Sequence, residues 1–319
     1  MARTLLQIVN AAQQELGLPI ASSVIGNTDA TTQQMLGYAN ATLDDMRFRN
    51  EEGWTELTFE YNLVVSPPVE LTGNVTEGSA VITGLSDTSS LSADLFYASG
   101  SYIPQGARIA SVDSATQVTL TMEATGSETG ATLKFSKDTY PLPSDFDYYL
   151  SDTWWDRTNR WKLLGPDSPQ KDQWHRSGIV AFGPRRHWRQ IRAGSTAMYR
   201  LWPPPAELVS PIQLVFEYIT KNAVNTEGNG NAFTQYFEND TDVPLLNDRA
   251  IIMGIKWMFW EQKGFNWVVK RAQYDEYVKQ LIGKDGGNRK LYLAHAGPAD
   301  ILISPAQVQD GFYPGPDDV

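Results

Sequence analysis

The sequence predicts an α+β protein: a discontinuous helical-bundle core with antiparallel strands, an inserted small β-sandwich or barrel, and an extended C-terminal arm. Three observations lead there. Amphipathic helical patterns lie towards both ends of the 319 residues. Residues 66–137 between them contain no Trp and repeat short β patterns punctuated by glycine, whereas one Trp precedes this stretch and nine follow it. The last thirty-odd residues carry Pro298, Pro305, Pro314 and Pro316, which forbid a long helix. The expected units are therefore a core from 1–65 and 138–285, an insert at 66–137, and an arm at 286–319.

In chain order, Leu5, Ile8, Val9, Ala12 and Leu16 fall on one helical stripe, ended by Gly17 and Pro19. A second helix is expected from about Thr31 to Glu52, capped by Asp29 or Thr31, with Leu36, Ala39, Leu43 and Met46 inward. Trp54 to Tyr61 alternates apolar and polar residues and predicts a strand. In the insert, Val118, Leu120 and Met122 alternate with Thr119 and Thr121, and Ala131, Leu133 and Phe135 with Thr132 and Lys134. Gly78, Gly84, Gly100, Gly106, Gly126 and Gly130 separate such runs, the pattern of a small antiparallel module. Strands are expected at about 188–202 and 211–221. A third helix is expected near Asp242 with Pro244 in its first turn and Leu245, Ile251, Ile255, Met258 and Phe259 as its apolar face. A fourth, after Gly264, reaches about Ile282 with Val268, Ala272, Val278 and Leu281 inward.

Composition removes several function classes. Cys is absent, which excludes disulfides, thiolate metal sites and cysteine nucleophiles, and suits assembly in a reducing cytoplasm. The formal net charge of -11 argues against general affinity for nucleic-acid phosphates. No run of 18 uncharged apolar residues exists, so no membrane contact is expected, and the N-terminus lacks the apolar block of a signal peptide. The three histidines, His175, His187 and His295, have no partner at i+4 and no His-Glu-x-x-His motif, so no zinc site is expected. Neither a Gly-x-Ser-x-Gly elbow nor a phosphate loop occurs. Glu238 to Asp242 begins like a calcium loop, but Val243 stands where glycine is needed and Arg249 where glutamate is, which leaves an acidic helix N-terminus as the better reading. Asp44 and Asp45 read as a solvated helix face. The expectation is a protein that is not an enzyme, with no catalytic residue, no metal and no cofactor.

Residues 154–202 stand apart, with six Trp interleaved among ten Arg or Lys. Such a segment can meet an acidic neighbouring subunit, be an ordinary core with a charged surface, or bind nucleic acid by phosphate pairing and stacking; the acidic total weighs against the last. Candidate protein-interface residues are Arg157, Arg160, Trp161, Trp174, Arg185, Arg186 and Trp188, joined by Ile301, Leu302, Ile303, Phe312 and Tyr313 of the arm. The arm is too apolar for a solvated tail and too short for its own core, so it is expected to order by docking on a neighbour.

Two N-terminal helices, a strand opening on Trp54-Thr55, the turn Tyr140-Pro141-Leu142-Pro143-Ser144-Asp145-Phe146 and two late helices resemble, in order and spacing, the head-to-tail adaptors of podophages, also called tail tubular protein A. The segments Arg3–Gly17, 31–61, Tyr140–Phe146 and 242–283 carry this resemblance. In the insert, Gly78-Ser79-Ala80-Val81-Ile82-Thr83-Gly84-Leu85, Ile103-Pro104-Gln105-Gly106-Ala107-Arg108-Ile109 and Gln117-Val118-Thr119-Leu120 resemble a β-module that recurs in phage virion proteins. The resemblance implies a homo-oligomeric ring of about twelve copies. The ring would lie between the portal protein and the tail nozzle protein, with DNA passing through without specific binding. It implies a virion location at the head-tail junction after synthesis in the host bacterial cytoplasm. The competing reading is a tail-associated carbohydrate-binding module that contacts a receptor, suggested by the β-insert and the abundant Trp. A tail-associated hydrolase lacks a catalytic constellation.

Overall fold

The structure, a computed structural model, describes residues 3–51, 53–176, 185–193, 196–226 and 232–285. The chain opens with helix α1 (Leu5–Leu16), whose N-cap Thr4 forms a reciprocal capping box with Gln7 and whose C-cap Gly17 takes the left-handed conformation that glycine adopts without cost. Helix α2 (Ala30–Arg49) is capped by the Asp29 carboxylate, which accepts from Thr32 N. A 3-10 turn at Thr55–Leu57 then replaces the start of the strand expected from Trp54, because the Trp54 ring turns inward and its Nε1 donates to Met46 O at 2.8 Å. Strand β1 (Thr58–Val65) follows.

Six strands come next: β2 (Val69–Val75), β3 (Val81–Ile82), β4 (Phe96–Gly100), β5 (Ile109–Ser114), β6 (Gln117–Leu120) and β7 (Glu128–Lys137). They make two three-stranded sheets, β2-β7-β4 and β3-β6-β5, linked by bridges at Asn74–Thr83 and Tyr97–Arg108. Alternate side chains, including Val118, Leu120, Leu133 and Phe135, fill one cluster drawn entirely from residues of this stretch. Met122, expected to alternate inward with them, lies exposed.

The chain continues through β8 (Thr139–Pro141), β9 (Phe146–Tyr149), β10 (Trp155–Asp156), β11 (Trp161–Lys162), helix α3 (Pro169–Arg176), β12 (His187–Ala193), β13 (Thr196–Trp202) and β14 (Ile212–Thr220). Strand β14 pairs antiparallel along the whole of β1, from Thr58 opposite Ile219 to Val65 opposite Ile212, and also holds β9 and β10. A second sheet runs β12-β13-β8. One face of β14 is buried throughout, at Ile212, Leu214, Phe216, Tyr218 and Thr220, and Val215 and Ile219 bury part of the other, where Gln213 is exposed. Two-residue strands β15 (Val224–Asn225), β16 (Phe233–Thr234) and β17 (Val243–Pro244) form a third sheet, and helices α4 (Asp248–Gln262) and α5 (Val268–Lys284) end the described chain.

The fold corrects the expected helical-bundle core. Strand residues exceed helical ones, 32% to 28%, and the strands form several small antiparallel sheets beside five described helices, with no bundle evident. The physical reason lies in where the apolar area sits. The end helices share one cluster, but Leu57, Ile219, Ala223 and Val224 of the strand region complete it. Sheet residues make the other two clusters without them. Helix α5 fully buries only Tyr274 and Val278; Val268 and Ala272, expected inward, are exposed. Helix α4 also begins later than Pro244 suggested. Pro244 belongs to β17, and Asn247 caps the helix by accepting from Arg249 N and Ala250 N. The acidic run before it is no helix terminus either. Asp240 Oδ1 accepts from Val24 N at 2.9 Å and Ile25 N at 2.8 Å, and buried Asp242 accepts from Glu238 N and Asn239 N. The Asp240 carboxylate ties this loop to the α1–α2 connection, while that of Asp242 braces the loop itself. Residues 286–319, the expected arm, lie outside the described residues.

Candidate interaction surface

The Arg- and Trp-rich segment separates into a core and a rim. Trp154 is stacked on Trp188 and on Phe216, each with ring centroids 3.9 Å apart, and meets Tyr199 edge-on. These rings belong to the buried cluster between the sheets β1-β14-β10-β11 and β12-β13-β8. Trp188 is therefore removed from the interface set, because it is buried within its own subunit. Arg186 is half-buried and donates from Nη1 to Pro203 O at 2.8 Å. Arg157, Arg160 and Trp161 are exposed on and beside the β10–β11 hairpin, where Arg157 pairs with Glu60 at 2.5 Å. Trp174, on α3, is 56% exposed, and Arg185 is exposed just before β12. Ile301, Leu302, Ile303, Phe312 and Tyr313 lie outside the described residues.

A second surface was missed at the level of sequence. Phe265, Val268 and Val269 are all well over half exposed at the turn from α4 into α5. Val269 also lines a shallow groove with Met253, Ala272, Tyr277 and the polar Gln273, Glu276 and Gln280. The signal was present: Val268 precedes buried Tyr274 by six residues, which places it about 120° away around a helix of 3.6 residues per turn. One stripe cannot hold Val268, Val269, Tyr274 and Val278 together, so part of α5 must present apolar residues outward.

The ionisable groups are mostly structural. Arg108 forms a bidentate pair with fully buried Asp138 (2.5 and 2.7 Å) and donates to Thr139 Oγ1, which joins the 66–137 sheets to β8. Asp44 and Asp45, expected as a solvated face, are engaged: Asp44 by Arg47 and Tyr236, Asp45 by Arg49 and Tyr274. Burial, reinforced by the hydrogen bond to Asp45, pushes the Tyr274 phenol far up, so it remains a donor at any physiological pH. Tyr218 is likewise pushed up by burial and by Asp145, from which it cannot lose its proton cheaply.

One cluster among the described residues has the makings of a metal site: Asp167, His175 and His187, whose ligand atoms all lie within 4.8 Å of one another. The spacings of eight and twelve residues between them follow no helical period, so no motif marks the cluster at the level of sequence. Local pairing brings them together. Leu164 N donates to Arg186 O, Trp188 N to Leu164 O and Asp167 N to Trp188 O, so the strand-like run 164–167 lies beside the start of β12. Gly165 permits this approach, since a Cβ there would sit 2.5 Å from Trp188 O. Burial pushes the His187 imidazole down, outweighing the pull of Asp167.

Compared with models of known protein families and with curated proteins, the chain matches none. Among the described residues, no helix is long and apolar enough to cross a membrane.

Proposed function

We propose that this chain is a structural subunit of a tailed-phage virion, a ring-forming adaptor that joins the portal protein to the tail nozzle protein and lets DNA pass. The observation that carries the reading is the convergence of the segments that resemble podophage adaptors. Residues 3–17, 31–61 and 242–283 share one buried cluster, although they lie at opposite ends of the chain. The 140–146 turn is fastened to β14 through Asp145, whose carboxylate accepts from Tyr218 Oη at 3.1 Å and Thr220 Oγ1 at 2.7 Å. A ring subunit also needs a head-to-tail contact surface, and the exposed Phe265, Val268 and Val269 supply apolar area for one side of it.

The carbohydrate-binding reading is disfavoured by the Trp placement. Sugar platforms need exposed rings, yet Trp54, Trp154, Trp188, Trp202 and Trp257 are buried, and Trp161 and Trp174 alone among the described Trp residues are strongly exposed. Negative-stain electron microscopy of the purified full chain tests the proposal. Closed rings of uniform diameter support it. Monomers at every concentration, also in the presence of portal protein, refute it, and glycan-array binding by those monomers would favour the alternative.

A further inference from the structure

Asp167 lies in the loop before α3, His175 in the last turn of α3 and His187 at the first position of β12. All three are largely shielded, with side-chain exposures of 4%, 7% and 15%. Their polar atoms converge on one carboxylate oxygen. Asp167 Oδ2 is 3.5 Å from His175 Nε2 and 3.1 Å from His187 Nδ1. A tetrahedral ion with ligand bonds of about 2.0–2.1 Å separates its ligands by about 3.3–3.4 Å. The two carboxylate–imidazole spacings bracket that figure, and all three ligand atoms lie within 4.8 Å of one another.

The surroundings suit such an ion. The other carboxylate oxygen, Oδ1, is held by Lys171 Nζ at 2.8 Å, and the Asp167 N–H is held by Trp188 O at 2.9 Å, so the ligand is oriented from both sides. Helix α3 is fixed to β12 independently by the Asp172–Arg189 pair at 3.0 Å. The ligands therefore come from elements that are already positioned. Two imidazoles and one carboxylate favour a borderline transition ion over magnesium or calcium, which take oxygen ligands.

We propose that Asp167, His175 and His187 form a zinc site that clips α3 to the start of β12, with Asp167 Oδ2, His175 Nε2 and His187 Nδ1 as ligand atoms and a fourth position open to water. The site does not depend on ring formation. Its role is mechanical: the ion ties Asp167 and α3 to the start of β12, beside the exposed Trp174 and Arg185.

The test uses the untagged full-length chain, stripped with chelator and titrated calorimetrically with zinc sulfate. One zinc per chain is expected, with His175→Ala and Asp167→Asn each weakening binding by more than about 100-fold, beyond what second-sphere losses produce. His295→Ala serves as the control and leaves affinity unchanged. Because a substituted chain can misfold, circular dichroism of each apo variant is compared with the parent. Hydrogen exchange of the parent is also followed directly, and zinc is expected to slow exchange in α3 and early β12. Cobalt in place of zinc should give visible absorption bands that His187→Gln abolishes. Absence of zinc uptake at micromolar concentrations, uptake unaffected by the His175 and Asp167 variants in folded protein, or preference for magnesium would each overturn the proposal.

Discussion

Gly254 in the middle of α4 is the position where the helix packing can be challenged with one methyl group. A Cβ there would lie 2.3 Å from Thr42 Oγ1, 2.4 Å from its Cγ2 and 2.9 Å from its Cβ. Ordinary carbon contacts begin near 3.5 Å, so three atoms of one side chain would overlap by about 0.6–1.2 Å. Thr42 cannot step aside. It is fully buried on α2, its Oγ1 donates to Tyr38 O at 2.7 Å, and rotation of a β-branched side chain exchanges one obstructing group for another. Relief requires α2 and α4 to move apart, an overpacking cost of about 2–3 kcal/mol. Helix propensity opposes it, because Ala is favoured over Gly by about 1 kcal/mol in a helix interior. Gly254→Ala is therefore expected to destabilise by about 1–2 kcal/mol net. Urea unfolding followed by helical circular dichroism measures it. In a double-mutant cycle, Thr42→Ala should restore most of the loss, with a coupling of at least about 1 kcal/mol. A Gly254→Ala protein more stable than the parent, as propensity alone dictates, would refute the close α2–α4 approach.

Three further outcomes follow from named contacts. Arg108→Ala leaves Asp138 buried without its partner and should cost about 3–5 kcal/mol in urea unfolding, whereas the joint change of both to apolar residues should cost much less; a loss under about 0.5 kcal/mol would contradict the buried pair. Gly165→Ala meets the Trp188 carbonyl and a φ of +150°, so about 1–3 kcal/mol of destabilisation and loss of the near-ultraviolet exciton signal of the Trp154–Trp188 stack are expected. Burial raises the Glu15 pKa, but hydrogen bonds and charge from Arg249 and Lys256 lower it more, leaving it below its ordinary value of 4.5. A depressed carboxylate contributes stability above its unfolded pKa and loses it as pH falls through the folded one, so Glu15→Gln should cost less than about 1 kcal/mol at pH 7 for so exposed a group, seen as a slightly lower Tm, and the difference should shrink at about pH 3. An equal difference at both pH values would show that Glu15 acts by packing alone.

Local chemistry was legible wherever it determines structure without help from afar. The Leu5–Ile8–Val9–Ala12 stripe and Gly17 define α1, and the alternation at Val118–Leu120 and Leu133–Phe135 defines strands whose residues fill one cluster. Legibility fails where long-range packing decides. Pro244 signalled a helix start, but the strand pairing of Val224 with Pro244 takes that residue and leaves Asn247 to cap α4. Trp188 and Trp161 carry the same side chain in the same Arg-rich run, yet the sheet pairing buries one and exposes the other. The Asp167–His175–His187 cluster arises from the approach of 164–167 to β12, which no periodicity encodes.

The mass of the assembly in solution is the decisive measurement of whether this chain forms the proposed ring. Analytical ultracentrifugation of the full chain, alone and with portal protein, should resolve one closed species of about twelve copies. Replacing Phe265 and Val269 by Glu should collapse that species to a folded monomer with unchanged circular dichroism. A parent chain that sediments as a monomer under both conditions would overturn the ring, and a Glu variant that assembles as the parent does would remove Phe265 and Val269 from its contacts.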